Sequence, residues 1–344
     1  MALYAPEIIF FALWLGWWLD RRFGEVPFWH PLVGYGRLVS WLEKALNADS
    51  QSSTQYLSIA VKRFLGVIAL LMALGLIVIP FAVVLNSAFP EAGSGYLLVL
   101  NLLIQAGVLY FALGAKSLDQ HLEQIEKPLL EGNLEQARFY VGWIVSRDTT
   151  DMDEVRVTRA AIESGLENGS DGAFAPLFWF LVAGAPGVLL YRLANTLDAM
   201  WGYKTERLLS FGWAAARFDD LLNLIPARIS AFFYALNSPH GLKGFRLALY
   251  CWRKQGGCWE SPNAGPVMAA GAGALGVRLG GGDTYHGQWK DRPDLGKGDD
   301  PQIQDLQAVR KLVDRVMFSW LLFGSLVALG SLWLVVWGSD GGLL

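Results

Sequence analysis

Apolar positions in this chain come in long uninterrupted runs rather than in short stripes. Residues 64–85 are 22 in a row without a charge, and residues 316–337 are another 22. Residues 96–115 add 20 more, with Asn101 and Gln105 as their polar members. A helix rises about 1.5 Å per residue and needs about 20 apolar residues to cross the hydrocarbon of a bilayer. These three runs therefore predict transmembrane helices. Residues 2–19 predict a fourth, interrupted by Pro6 and Glu7. No cleavable leader is expected there, because no positive charge precedes the run and no small-x-small site follows it. Trp320 stands near one end of the last run, with Trp333 and Trp337 near the other, as in an aromatic belt at the headgroup level.

The stretch 173–194 is apolar in a different way. Pro176 and Pro186 lie within it, and Gly184-Ala185-Pro186-Gly187 interrupts its middle. Proline removes a helical donor and glycine loosens the backbone. Two half-helices, re-entrant or buried against the other spans, are expected; a kinked full span is the alternative. The predicted fold is all-α: a polytopic integral membrane protein in one domain. It has about four transmembrane helices, a broken or re-entrant helical segment, and large helical loops.

Composition supports this picture. Of 344 residues, 53% are hydrophobic and 17% charged, against about 45–50% and about 25% in soluble chains. A net charge of −3 excludes a nucleic-acid binder that works through bulk positive charge. Cys251 and Cys258 are too few for a disulfide framework or a zinc-finger set. All 28 Lys and Arg fall in three blocks, Arg21 to Arg63, Lys116 to Arg159 and Arg192 to Arg315. Positive residues mark cytoplasmic loops. Loops 20–63, 116–172 and 195–315 are accordingly expected on the cytoplasmic side, with loop 86–95 and both termini outside.

Four polar segments carry the candidate chemistry. Residues 20–37 join the first span to a short amphipathic helix ending near Ala45, with His30 held extended before Pro31. In residues 147–172, Thr150 or Asp151 is placed to cap a helix and Asn168-Gly169 to end it. Helical spacing then gathers Arg156, Arg159, Glu163 and Glu167 on one face, with Asp171 close behind. Such a stripe suits a solvated face of i,i+4 pairs. Its three converging carboxylates also suit Mg²⁺, which takes one or two carboxylates together with phosphate oxygens.

In residues 195–228, Asn195 and Asp198 share a helical face and Lys204 follows in a turn. Asp219 and Asp220 interrupt apolar chain, so each needs a partner or a wet cavity. Residues 261–287 contain Gly271-x-Gly273-x-x-Gly276, formally a dinucleotide fingerprint, but no strand precedes it. Small residues there suit close helix approach or a bulky ligand. Residues 288–304 are expected to be a flexible linker.

At these segments the chain resembles the CobD/CbiB family of cobalamin-biosynthesis membrane proteins, the adenosylcobinamide-phosphate synthases. The stretches that carry the resemblance are HPLVGYGR, RDTTDMDE, ESGLENGSDGAFAPLF, GAPGVLLYRLANTLDAMWGYK, FGWAAARFDDLLNLIPARI and SPNAGPVMAAGAGALGVRLGG. They occur in the family's order over residues 30–37 and 146–287. Two departures stand out: Gly24-Glu25-Val26-Pro27 where the family commonly has Gly-Asp-Pro, and Ser146 where it often has Gly. The AmpE type of membrane protein shares the general build and would be expected to lack much of the ENGSDG and SPNAG pattern.

The resemblance implies ATP-dependent amide formation between adenosylcobyric acid and an aminopropanol phosphate at the cytoplasmic side of the inner membrane. It implies Mg²⁺ and ATP, with the bilayer as surroundings and a homo-oligomer or other cobamide-assembly enzymes as possible partners. Under that chemistry Glu163, Glu167, Asp171, Asp219 and Asp220 are the expected metal ligands. Arg147, Arg159, Lys204 and Arg228 would hold phosphates. Asn168, Asn195 and Asn263 would bind the amides of the corrin rim. Asp148 or Asp198 would act as base, with Lys204 beside the reacting groups. A corrinoid transporter built on the broken segment, or a non-catalytic anchor for late assembly enzymes, are the competing classes.

Overall fold

The computed structural model describes residues 5–25, 31–47, 58–89, 95–285 and 287–340. Residues 90–94 of the 86–95 loop predicted to lie outside, with His30 and the Val26-Pro27 departure, fall beyond the described residues. Twelve α-helices are present among those residues: α1 (Pro6–Phe23), α2 (Pro31–Leu46), α3 (Ile59–Ala88), α4 (Gly95–Ala112), α5 (Ala115–Leu130), α6 (Leu134–Val141), α7 (Glu154–Gly169), α8 (Ala175–Trp201), α9 (Trp213–Leu236), α10 (Gly241–Gln255), α11 (Ala264–Leu275) and α12 (Ile303–Asp340). Four three-residue strands lie between α11 and α12: β1 (Arg278–Gly280), β2 (Asp283–Tyr285), β3 (Gln288–Lys290) and β4 (Asp294–Gly296).

Among the described residues four helical stretches are long and apolar enough to cross a membrane: Ile59–Ala88, Gly95–Leu130, Glu154–Trp201 and Ile303–Leu334. The chain is an all-α multi-pass membrane protein. Helix α1 covers most of 2–19, but Glu7, Asp20, Arg21 and Arg22 lie within its 18 residues, and it is not one of the four. The stretch Glu154–Trp201 has 48 residues and would be about 72 Å long, more than twice the hydrocarbon thickness. Its apolar part is 173–194; the charged half, including Glu163 and Glu167, precedes it.

The chain forms two compact units. One comprises Met1–Leu113, Pro176–Leu222 and Gly324–Leu344; the other comprises Gly114–Ala175 and Asn223–Phe323.

In the first unit α8 is broken, as its glycines and proline predict. Ala183 (φ −143°, ψ 20°) and Gly184 (φ 59°, ψ −150°) leave helical geometry, and Pro186 follows. The positive φ at Gly184 suits glycine, which has no Cβ to clash there. A broken helix frees backbone donors that lipid cannot satisfy. Here the Ala185 N–H donates to Gln105 Oε1 at 2.7 Å, and Gln105 is itself braced by Asn101. The two polar residues inside α4 thus close the gap in α8. The Trp179 indole donates to the Leu222 carbonyl at 3.1 Å.

In the second unit the helix boundaries differ from those read in the sequence. Asp153, not Thr150 or Asp151, caps α7, accepting from the Arg156 N–H at 2.8 Å. Its carboxylate sits three residues before that donor, the spacing an N-cap needs. α7 ends at Gly169, but without the left-handed residue expected of Asn168-Gly169. Gly169 stays helical (φ −58°), and the chain passes through a π-turn, Ser170–Phe174, directly into α8. Gly169 serves packing instead: a Cβ there would lie 2.6 Å from the Tyr234 hydroxyl, which donates to the Leu166 carbonyl.

Residues 288–304 are not a linker. β1 pairs with β4 and β2 with β3, both antiparallel, with Leu279 and Leu295 fully buried. Gln255 anchors β4 through two hydrogen bonds to Gly296, at 2.8 and 2.9 Å. Every residue of α11 is buried, and Gly273 packs on the Ala248 backbone, so its glycines serve close helix approach.

Candidate functional site

The second unit buries a network of opposite charges around α7. Glu163 sits in the middle of that helix and is almost inaccessible. Arg147, from the loop before α7, donates to Glu163 Oε2 at 2.6 Å. Arg292, from the β3–β4 connection, donates to the same oxygen at 3.1 Å and reaches Oε1 at 3.4 Å. The Gly280 N–H completes the set, donating to Oε1 at 2.8 Å. Both carboxylate oxygens are therefore taken.

Asp283, at the start of β2, repeats the pattern. It accepts from Arg147 at 3.1 Å, from Arg156 and from the Thr284 N–H. Burial opposes its ionisation. The Arg156 hydrogen bond, the Thr284 N–H and the two guanidinium charges outweigh that and hold its carboxyl below the ordinary range. Aromatic rings cover the arginines: Arg292 lies 5.1 Å from the Trp259 ring centroid, Arg147 5.9 Å from Tyr285, and Arg156 6.0 Å from Trp289.

Glu167 lies one helical turn beyond Glu163 and fares differently. Among the described residues no hydrogen bond or ion pair reaches its carboxylate. Burial and the neighbouring Glu163 charge push its carboxyl up to about 7, against the opposing pull of Arg147 and Arg292. Asp171 follows in the π-turn, half-buried, and its charge raises the buried Tyr234 hydroxyl further above its ordinary range, where desolvation has already placed it. Among the described residues, no group of three or more His, Cys, Asp or Glu stands in an arrangement that would hold a metal by itself. Glu163, Glu167 and Asp171 are near in sequence, but the first is committed to guanidiniums.

Other residues singled out in the sequence fall into two sets. In the second unit, Asp148 accepts from the Gly287 N–H at 2.7 Å, and its own N–H donates to the Thr284 carbonyl; it anchors the β2–β3 turn. Arg159 pairs with Asp300 at 2.9 Å, while its Nε, like that of Arg156, is buried without a partner. Asn168 spends its amide on Ser164, the residue one turn back. Arg228 donates to Asn263 Oδ1 and to the Pro262 carbonyl, so this pair is joined.

In the first unit, Asn195 reaches Asp219 at 3.4 Å and Arg217 pairs with Asp220 at 3.1 Å. Asp198 is half-buried near the end of α8, against Gly202. Lys204 is exposed in the loop that follows. Site residues read from the sequence are thus divided between the units.

Asp283, Arg292, Trp259, Tyr285 and Trp289 went unnoticed in the sequence. Their signal was present in the polar stretch after α11, where Trp289 and Leu295 do not suit a solvated linker.

The CobD/Cbib protein family matches residues 13–313. A Cobalamin biosynthesis protein CobD of Chromobacterium violaceum is 55% identical over 302 residues, covering 88% of this chain and 91% of that protein. Its namesake from Stutzerimonas stutzeri is 49% identical over 306 residues, covering 88% and 93%. That of Rhodobacter capsulatus is 39% identical over 320 residues, covering 92% and 94%. No solved structure matches the chain.

Proposed function

The chain belongs to the CobD/CbiB family of cobalamin biosynthesis, and from that membership we propose that it is an ATP-dependent amide ligase. It would join adenosylcobyric acid to an aminopropanol phosphate, giving adenosylcobinamide phosphate, on the cytoplasmic face of an inner membrane. The observation that most supports this function is the meeting of three family-like segments in one buried network. RDTTDMDE supplies Arg147, ESGLENGSDGAFAPLF supplies Glu163, and SPNAGPVMAAGAGALGVRLGG supplies the Gly280 N–H, with contacts of 2.6 and 2.8 Å.

A carboxylate is a poor acyl donor, because its oxide leaves badly. ATP would convert it to an acyl phosphate, whose phosphate leaves readily once the amine attacks. The site must then hold polyphosphate oxygens, take a proton from the attacking ammonium and keep water out. The leftover Nε donors of Arg156 and Arg159 suit phosphate oxygens. The Trp259, Tyr285 and Trp289 rings give apolar cover.

Glu167, pushed up to about 7, suits proton transfer near neutral pH. It displaces Asp148 as the first choice of base, because Asp148 is occupied by Gly287. Mg²⁺, when bound with ATP, would neutralise phosphate charge. Asp171, half-buried in the π-turn, would hold it together with phosphate oxygens, since Mg²⁺ needs only one or two carboxylates. Glu163 does not fit, since two arginines and a backbone N–H already take its oxygens.

The assay is direct. Purified protein in nanodiscs receives ATP, Mg²⁺, adenosylcobyric acid and aminopropanol phosphate, and the amide is sought by mass. Product formed with stoichiometric ATP consumption is expected. Absence of product, or movement of corrinoid into vesicles without ATP turnover, would defeat the ligase assignment. Asp171→Asn is expected to keep membrane yield and to lower amide formation at least about tenfold, a loss of about 1.4 kcal/mol in the transition state. Normal turnover by that variant at limiting Mg²⁺ removes the carboxylate from the metal role.

A further inference from the structure

In the second unit, the start of α12 and the turn between α9 and α10 enclose a cavity of about 140 Å³. Its polar lining is Lys311, Arg315, Gln304 and Gln307; Pro239 and Leu312 give it an apolar side. Among the described residues no carboxylate lines it. Lys311 and Arg315 are four residues apart, so one helical face presents both cations to the same space. Lys311 is steadied by Gln307 at 3.0 Å.

The position of this cavity along the chain gives it meaning. Arg315 is the last Lys or Arg in the sequence, and the uncharged run 316–337 begins at the next residue. Phe318 and Leu322 continue the same helical stripe three and seven residues on, and they are 49% and 47% exposed. The stripe therefore carries cations and amides at one end and half-exposed apolar side chains at the other. Where a membrane-crossing helix enters the bilayer, that order of groups matches an anionic phospholipid, headgroup first and acyl chain after.

We propose that this cavity is a specific site for the phosphate of an anionic phospholipid, with Lys311 and Arg315 holding the headgroup and Phe318 and Leu322 lying along a chain. The site is separate in its residues from the Arg147–Glu163 network and does not depend on the amide-ligase assignment.

The test uses the full chain in vesicles of phosphatidylglycerol and phosphatidylcholine in equal parts, released and weighed intact by native mass spectrometry. The wild type is expected to retain one phosphatidylglycerol in preference to phosphatidylcholine. The double variant Lys311→Gln/Arg315→Gln should lose that adduct at least about fivefold. A control with the same charge change, Lys243→Gln/Lys254→Gln on the exposed face of α10, should keep it. Thermal unfolding of each variant within a few degrees of wild type establishes that the fold is intact; a double variant that unfolds is replaced by Arg315→Leu alone. Equal loss in the α10 control would reduce the effect to general surface charge and overturn the site. Displacement of the lipid by millimolar inorganic phosphate would overturn the lipid assignment in favour of a free-phosphate site.

Discussion

The two units solve the same problem, a polar group in apolar surroundings, by opposite means. In the first unit the polar contacts described above are separate pairs, one local and the others between distant parts of the chain. Asp220 accepts from Arg217 on the previous turn, Asn195 donates to Asp219, and Gln105 accepts from the Ala185 N–H across the break in α8. In the second unit Glu163 and Asp283 each collect several donors over long separations. Arg147 bridges them, Arg292 arrives from 129 residues beyond Glu163, and Arg156 reaches 127 residues forward. A local pair costs little to form and holds little together. A buried long-range network ties α7 to the β-segment, and each member depends on the others.

Breaking the network at its centre should have the largest effect. Glu163→Leu leaves Arg147 and Arg292 buried without their shared carboxylate. Removing one partner of a buried ion pair costs about 3–5 kcal/mol. Poor yield of folded protein and rapid proteolysis within residues 276–300 are expected. Arg147→Met combined with Glu163→Leu should recover part of the loss. Wild-type stability in the single variant would mean that the network holds nothing.

Gln105 of the first unit comes next. Gln105→Leu removes the acceptor from the Ala185 N–H at a buried site, and an unsatisfied buried donor costs about 1–3 kcal/mol. A lower thermal midpoint in detergent is expected, with amide formation per folded molecule little changed. A midpoint no lower in the Leu variant than in wild type would show that water satisfies the break.

Glu167 sharpens the contrast within the second unit, because it lies one turn from Glu163 and lacks its partners. Glu167→Gln should fold normally and lose at least about tenfold in amide formation, about 1.4 kcal/mol. The pH profile carries the sign. The folded carboxyl is raised to about 7 from an ordinary 4.5, so it ionises only as pH passes about 7. Wild-type turnover should rise through that region, and the Gln variant should lack this limb. Stability runs the other way: the folded state keeps a proton that the unfolded state has released, so the contribution of this group falls as pH rises from about 4.5 to about 7. A Gln variant with the same pH limb would place the titration elsewhere.

The smallest effect is expected from the local pair. Asp220→Asn removes a partner of a largely exposed arginine, and such a change usually stays within about 0.5 kcal/mol. Burial raises the Asp220 carboxyl, and the Arg217 charge and hydrogen bond oppose that rise, so the aspartate has little to lose. A tenfold loss of turnover would show that Asp220 does more than pair with Arg217.

Much of the helical membrane build was legible in the chain, because an apolar run of 20 residues has few other places to go. The break at Gly184 was legible for the same reason: glycine and proline act on the backbone at their own positions. Membership in the family was legible through ordered motifs, and those motifs named Arg147, Glu163 and Asp171. Capping was misplaced by two or three residues, since Thr150, Asp151 and Asp153 all suit an N-cap and only the geometry chooses among them. Asn168-Gly169 looked like a stop, yet the chain can absorb one extra residue in a π-turn and keep its helix.

What the sequence determined by itself, then, is what acts locally: burial of apolar runs, backbone freedom at Gly184, and the sign of charge from block to block. Tertiary structure alone decided which carboxylate is spent and which is left over. Glu163 and Glu167 share a helix face, a residue type and a neighbourhood in the chain, and nothing along the sequence separates them. They part because Arg147, Arg292 and the Gly280 N–H converge on one turn of α7 and stop short of the next. Hydrogen bonds form only at heavy-atom distances of about 3 Å, and distances of that kind exist only once the chain has folded.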